Sequence, residues 1–436
     1  MPSQHTQSAR PKSRSRRLPR CVPALSLAAI ALAVFAACDT PGVTLVDPDV
    51  AGDKDRSLTI TVRLEDPVLA QALGWSQGVP DAEVFLNRIG DEFDPITLVT
   101  DSTGTAVLES ILPGQYRMAA HRMLREDETG PTGGVVRAFG DGRIGQVGSP
   151  SVISLTLLAN QASPVVFSEI QFSGRYDGNP ALGPDYTWFQ YFELYNNSDS
   201  TIYLDGMLWG WAWHFAFESQ RHPCAVTEPF RADPLGLWAA YFHRFPGSGN
   251  DYPLAPGQTV VVALDAADHS TVHPNLPDLS HADFELEGTA DVDNPDVPNL
   301  PEVGPTYFPY SHGVQPSSSA PLFLAQPLDL STLVQQRDPD WGRDWVRIPT
   351  EAVLDVVNAD GMSPDYDLLI APPCALFVPR SMDRLAGVRK LNSYDATFTM
   401  QRKTLQIIDG RFVLQDVNTS FVDFTEAQRS PGRIEY

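Results

Sequence analysis

Residues 165–206 read VVFSEIQFSGRYDGNPALGPDYTWFQYFELYNNSDSTIYLDG, and no other stretch limits the fold as much. In VVFSEIQF, Phe167, Glu169 and Gln171 alternate with Val166, Ser168, Ile170 and Phe172. In WFQYFELY, Gln190, Phe192 and Leu194 alternate with Phe189, Tyr191 and Glu193. Aromatic and β-branched residues at period two, with no helical period, predict two strands. Asn196-Asn197-Ser198-Asp199-Ser200 follows; its short polar side chains bond to nearby backbone and tolerate left-handed conformations, so the chain reverses there. A third strand is predicted over 201–204, closed by Asp205-Gly206. Helix-period runs are scarce elsewhere and 38 of the 436 residues are Pro, so the whole chain reads as all-β with many turns and more than one core.

The first 37 residues stand apart from that pattern. Arg10, Lys12, Arg14, Arg16, Arg17 and Arg20 precede an apolar run over 22–37, the basic and apolar regions of a secretory signal. The run falls short of the roughly 20 residues that span a bilayer. It ends Phe35-Ala36-Ala37-Cys38, which resembles a bacterial lipobox, with Phe35 where an aliphatic residue is usual. The resemblance implies cleavage before Cys38, diacylglycerol on its thiol, and a place in the cell envelope as an outer-membrane lipoprotein held in the membrane leaflet. Residues 38–56 then read as an acidic tether. Loss of the leader removes six basic residues and no acidic ones, taking the net charge from -23 to -29. A field of that sign repels phosphate backbones, so nucleic acid is excluded as a partner.

From 57 to 160 a first module is expected. SLTITVRL alternates, AEVFLNRI and ITLVT follow, and Asp101-Ser102-Thr103-Gly104 makes a turn before TAVLESI. TDSTGTAVLESILPGQYRMAA resembles the carboxypeptidase-regulatory, transthyretin-like β-sandwich, a spacer or stabiliser in secreted bacterial proteins. Residues 125–148, rich in glycine and charge, are expected to be a loop. From 163 to 436, the sequence SEI, then FELYN, a polar turn and LDG resembles the bacterial lamin-tail domain, an immunoglobulin-like β-sandwich, as does YPLAPG before the apolar residues 258–264. HRFPGSGNDYPLAPG, NLPDLSHADFE, DVDNPDVPN and GRFVLQDVNTSFVDF resemble one family of bacterial surface lipoproteins, domain-of-unknown-function family 4876, over nearly all of 165–436. That family has no assigned reaction. The expected architecture is therefore two β-sandwich domains, the second larger and with long loops.

Three groups of residues are candidates for function. In LWGWAWHFAF, Trp209, Trp211, Trp213, Phe215 and Phe217 fall at period two, on one face of a strand. Either they are a core-facing stripe or, if exposed, a stacking platform for a sugar or an apolar ligand. Asp291, Asp293 and Asp296 offer hard oxygen ligands suited to calcium, but the segment lacks the glycine and the distant glutamate of an EF-hand loop, which favours a solvated acidic loop. Histidines His269, His273 and His281 lie in the same acidic, proline-rich region without zinc spacing. Cys224 and Cys374 remain once Cys21 leaves and Cys38 is lipidated. A bond between them closes about 150 residues, worth about 5 kcal/mol by chain entropy, if their Cα atoms lie within reach.

Asp409-Gly410 signals a hairpin near the C-terminus. No metalloprotease helix, phosphate loop, dinucleotide fingerprint or nucleophile elbow occurs, so no enzyme is expected from local motifs and no cofactor is required. The sequence thus leads to a lipid-anchored binding protein that captures a glycan or peptide or docks onto an outer-membrane transporter. A structural or adhesion protein is the alternative, and a calcium-dependent hydrolase the second.

Overall fold

The computed structural model describes residues 57–88, 96–124, 128, 138–147, 151–160, 163–171, 186, 188–212, 233–287, 293–305, 321–338, 342–357, 359–360, 378–379, 382–383, 388–389, 397–408 and 410–434. The chain is all-β. In the strand Leu58–Leu64 every second residue is buried, as its alternation predicts. It pairs parallel to Ser151–Asn160 and antiparallel to Thr105–Leu108. The same seven-stranded sheet continues from Ser151–Asn160 through Ala138–Val147 to Gly114–Met123, Glu83–Arg88 and Ile96–Val99, and Val84, Leu86, Tyr116 and Met118 close a core with Leu58, Ile60, Val62 and Leu155. The Asp101 turn forms, its carboxylate accepting the N–H groups of Thr103 and Thr105, with Gly104 at φ 74.

The expected loop over 125–148 needs correction, because Ala138–Val147 is a strand. All ten of its residues pair antiparallel with Gly114–Met123. Gly140, Gly142 and Gly145 lower its local preference for strand, but a long partner with free ladder groups overrides that preference. A short helix, Pro67–Ala72, was also not expected; Asp66 caps it through the N–H groups of Val68 and Leu69, with Pro67 in the first turn.

Two facing sheets build the C-terminal part. One runs Asn299–Leu300, Phe284–Leu286, Thr259–Ala263, Tyr191–Asn196, Val165–Gln171, Phe398–Arg402, Phe424–Gln428. The other runs Gln335–Arg337, Asp344–Pro349, Gly236–Arg244, Leu208–Ala212, Leu322–Ala325, Val353–Val357. Phe167, Ile170, Phe192, Leu194, Trp209 and Leu324 share the core that includes residues of both. The second sheet has a further cluster on its other side chains, with Leu208, Phe242, Phe323 and Ile348. A register shift between Phe167 and Glu169 breaks the predicted alternation, and all seven residues of Val165–Gln171 are buried.

The polar turn after Asn196 forms as expected: its amide donates to the carbonyl of Ser200 and its oxygen accepts from Ser198 N–H. Asn197 reaches further, exchanging both amide hydrogen bonds with the backbone of Leu414 in the hairpin Thr404–Ile408 and Arg411–Leu414. Residues Asp55–Tyr436 form one compact unit. The two cores meet where Phe85, Ala119 and Met123 pack on Val417 and Val422.

Candidate functional site

Trp209 and Trp211 are internal. Leu208–Ala212 is a central strand, flanked by Gly236–Arg244 and Leu322–Ala325, and all five residues are buried. Trp209 is 0% exposed and stacks on Phe192 at 4.7 Å; Trp211 lies 4.4 Å from Tyr241. Neither ring is open to a ligand, which corrects the stacking-platform reading at these two positions. Gly210, which alternates with the two tryptophans and so lies on the sheet's other face, leaves no room for a Cβ against Phe242. His243, beside Trp209, is bonded at both ring nitrogens, to the carbonyl of Leu300 and to Tyr241 Oη. Burial, opposed by the Leu300 bond, brings its pKa to about 4, so the ring is neutral at physiological pH. Trp213, Phe215, Phe217, Asp291, Cys38, Cys224 and Cys374 lie outside the described residues.

In the acidic region, two of the carboxylates make turns. Asp268 and Asp278 each accept the N–H and hydroxyl of the serine two residues on, Ser270 and Ser280. Asp329 treats Ser331 the same way. The serine bonds hold the carboxyls of Asp278 and Asp329 below the ordinary range. His269 is occupied by Tyr186 Oη on one nitrogen and by the Asp265 carbonyl on the other. Asp293 accepts from the Asn299 amide at 2.5 Å, and the N–H of Asp296 donates to Asn294 Oδ1; both acids are exposed. Among the described residues no group of three or more His, Cys, Asp or Glu side chains is placed to hold a metal ion.

Ionisable groups do converge at two further places. Glu169 and Glu193 are direct cross-strand partners, both buried. Glu169 accepts from Tyr191 Oη, Gln401 Nε2, and the N–H and hydroxyl of Ser430; Glu193 accepts from Gly432 N–H at 2.5 Å. Burial raises both carboxyls, and the charge of Glu169 raises Glu193 further. The pair holds the last segment of the chain against the sheet, with Ile434 packed by Val166 and Tyr195.

The second is centred on Arg402, whose guanidinium reaches Asp355 at 2.5 Å, Asp416 at 3.5 Å and Asp423 at 3.7 Å. It also donates to the carbonyls of Phe167 and Gln415 and lies 4.6 Å from the Phe424 ring. Asp355 belongs to the opposite sheet, so this cluster ties the two sheets together. Asp416 to Ser420 with Asp423, another stretch rich in oxygen ligands, is a turn: Asp423 accepts the N–H groups of Val417 and Thr419.

Residues 255–431 match a protein family of unknown function, DUF4876. The match begins well after residue 165, where the sequence resemblance starts. The crystal structure of a DUF4876 family protein from Bacteroides thetaiotaomicron VPI-5482 is similar over 85% of this chain and 94% of its own, at 18% identity and TM-score 0.47. Crystal structures of DUF3823 family proteins from Parabacteroides merdae ATCC 43184 and Bacteroides ovatus ATCC 8483 are each 10% identical, with TM-score 0.16. They cover 48% and 47% of this chain, and 81% and 88% of their own. No curated protein matches.

Arg402, Asp355, Asp416 and Asp423 fall inside the DUF4876 match; Glu169 and Glu193 fall before it. The two glutamates carry a sequence signal, since each interrupts a strand whose other positions are mostly apolar. Arg402 carries none: FTMQRKT shows two basic residues side by side, and only the fold decides which one is buried.

Proposed function

We propose that this chain is a lipid-anchored binding protein of the bacterial envelope, whose lamin-tail-like sandwich docks onto an outer-membrane transporter or captures a glycan or peptide. The observation that carries this reading is the order of parts: a basic and apolar leader ending Ala-Ala-Cys38, an acidic tether, then a β-sandwich body. In it the N-terminal, transthyretin-like sandwich is a spacer. A structural or adhesion role is the second reading, favoured by the burial of Trp209 and Trp211, which removes two rings from ligand binding.

Lipidation is tested by Cys38→Ala in cells fed a labelled fatty acid. The parent chain is expected to carry the label and to sediment with the outer membrane, and the variant to lose both. Unchanged label and fractionation in the variant would sink the anchor. Cross-linked envelopes then separate the two roles, since recovery of a transporter or polysaccharide supports capture, while recovery of further copies of the chain alone supports a structural part.

A further inference from the structure

Where the two sandwiches meet, buried negative charge outnumbers buried positive charge. Arg402, Asp355, Asp416 and Asp423 all have side chains at or below 3% exposure. With every carboxyl ionised, one cation would face three anions away from water. An uncompensated charge in such a site is costly, and the usual relief is uptake of a proton. Burial, opposed by Arg402, raises Asp355 to about 6 and Asp423 to about 7.

The same cluster sits directly under the contact between the sandwiches. Asp416 accepts the N–H of Ser163, in the connection between them, and Asp423 shapes the turn that carries Val417 and Val422 onto Ala119. Other charged groups face the joint. Lys403 lies 5.9 Å from the Phe85 ring; burial lowers its pKa, while Asp423 and Glu83 favour its charge. His121 stacks on Phe85, 3.5 Å from Glu83, and burial together with Lys403 holds it at about 4, so it stays neutral. Asp383 accepts from the N–H and hydroxyl of Ser420.

We infer that the joint is set by a proton: its uptake by the carboxyl cluster around Arg402 seats the Val417 to Val422 turn on the N-terminal sandwich, and its loss unseats the turn. Both shifted groups are acids whose folded values lie above the ordinary 3.8. Their contribution is therefore complete below that value, declines as pH rises, and is gone once pH passes about 7. Through neutrality the joint is held more firmly as the surroundings acidify.

Hydrogen exchange on the full chain, corrected for intrinsic rates, tests this at about pH 5 and about pH 8. The opening constant of the amides of Val417, Thr419 and Asp423 is expected to rise about tenfold from the lower pH to the higher, one pKa unit's worth. Amides of Tyr191–Asn196 are expected not to follow. Asp423→Asn keeps an acceptor for the turn but carries no charge, and should hold the joint within about twofold at both pH values. A wild-type joint that does not respond overturns the proposal, as does an Asp423→Asn variant that responds like wild type. If that variant does not fold, Asp355→Asn, which leaves the turn's own bonds intact, must at least halve the response; an undiminished response overturns the proposal equally.

Discussion

One carboxylate organises a whole loop at Asp205. Its Oδ1 accepts the N–H groups of Gly249 and Asp251, and its Oδ2 that of Tyr252. Gly247, at φ 115, passes so close to Oδ1 that no side chain fits. Burial raises the pKa of Asp205, and the N–H groups of Asp251, Gly249 and Tyr252 more than reverse that. A lowered carboxyl contributes stability above its unfolded value and loses it as pH falls through the folded one. Asp205→Ala is expected to cost about 2 kcal/mol near neutrality. That cost should shrink in acid, where the wild-type carboxyl is protonated too. Urea unfolding at both pH values decides; an equal loss at each would show that the charge does not hold the loop.

The acidic pair on Val165–Gln171 and Tyr191–Asn196 shows what an element adds to its residues. Two strands in register place Glu169 opposite Glu193, and the N–H groups of Ser430 and Gly432 bind the chain's end over them. Both carboxyls are raised, so their contribution is present below the ordinary carboxylate value and declines as pH rises. Glu193→Gln keeps an acceptor for Gly432 and removes the like charge. It is expected to be neutral in acid and to stabilise by about 1 kcal/mol at alkaline pH. A variant less stable than wild type at alkaline pH would mean that ionised Glu193 is required to hold the segment. Strands, turns and the Asp409-Gly410 hairpin position were legible because each depends on local chemistry. The period-two tryptophans were legible as one face of a strand, but not which way that face looks, since this depends on the sheet packed opposite. Ala138–Val147 was not legible, because its pairing with Gly114–Met123, rather than its own glycine-rich composition, makes it a strand.

For the molecule as a whole, the question is whether two sandwiches melt as one. Each has its own core, around Leu58 to Leu157 in the first and Phe167, Phe192 and Trp209 in the second. The joint rests on ordinary apolar residues far apart in sequence, Ala119 with Val417 and Val422, which is why sequence suggested two domains and nothing about their coupling. Fully burying a valine is worth about 1.5 to 3 kcal/mol, so two of them supply enough to merge transitions that differ modestly in intrinsic stability. Val417 is 0% exposed, and Val417→Asp would bury a further carboxylate next to Asp416 and near Asp423. That penalty exceeds the apolar gain it replaces. Scanning calorimetry near pH 6 is expected to show one transition for wild type and two for Val417→Asp, each sandwich then melting on its own core. A single transition in the variant would place the coupling elsewhere, and two transitions in wild type would mean that these contacts are too weak to join the cores. Because the joint stands above the Arg402 cluster, raising the pH should drive wild type toward the variant's behaviour, whereas a purely apolar seam would show no such approach.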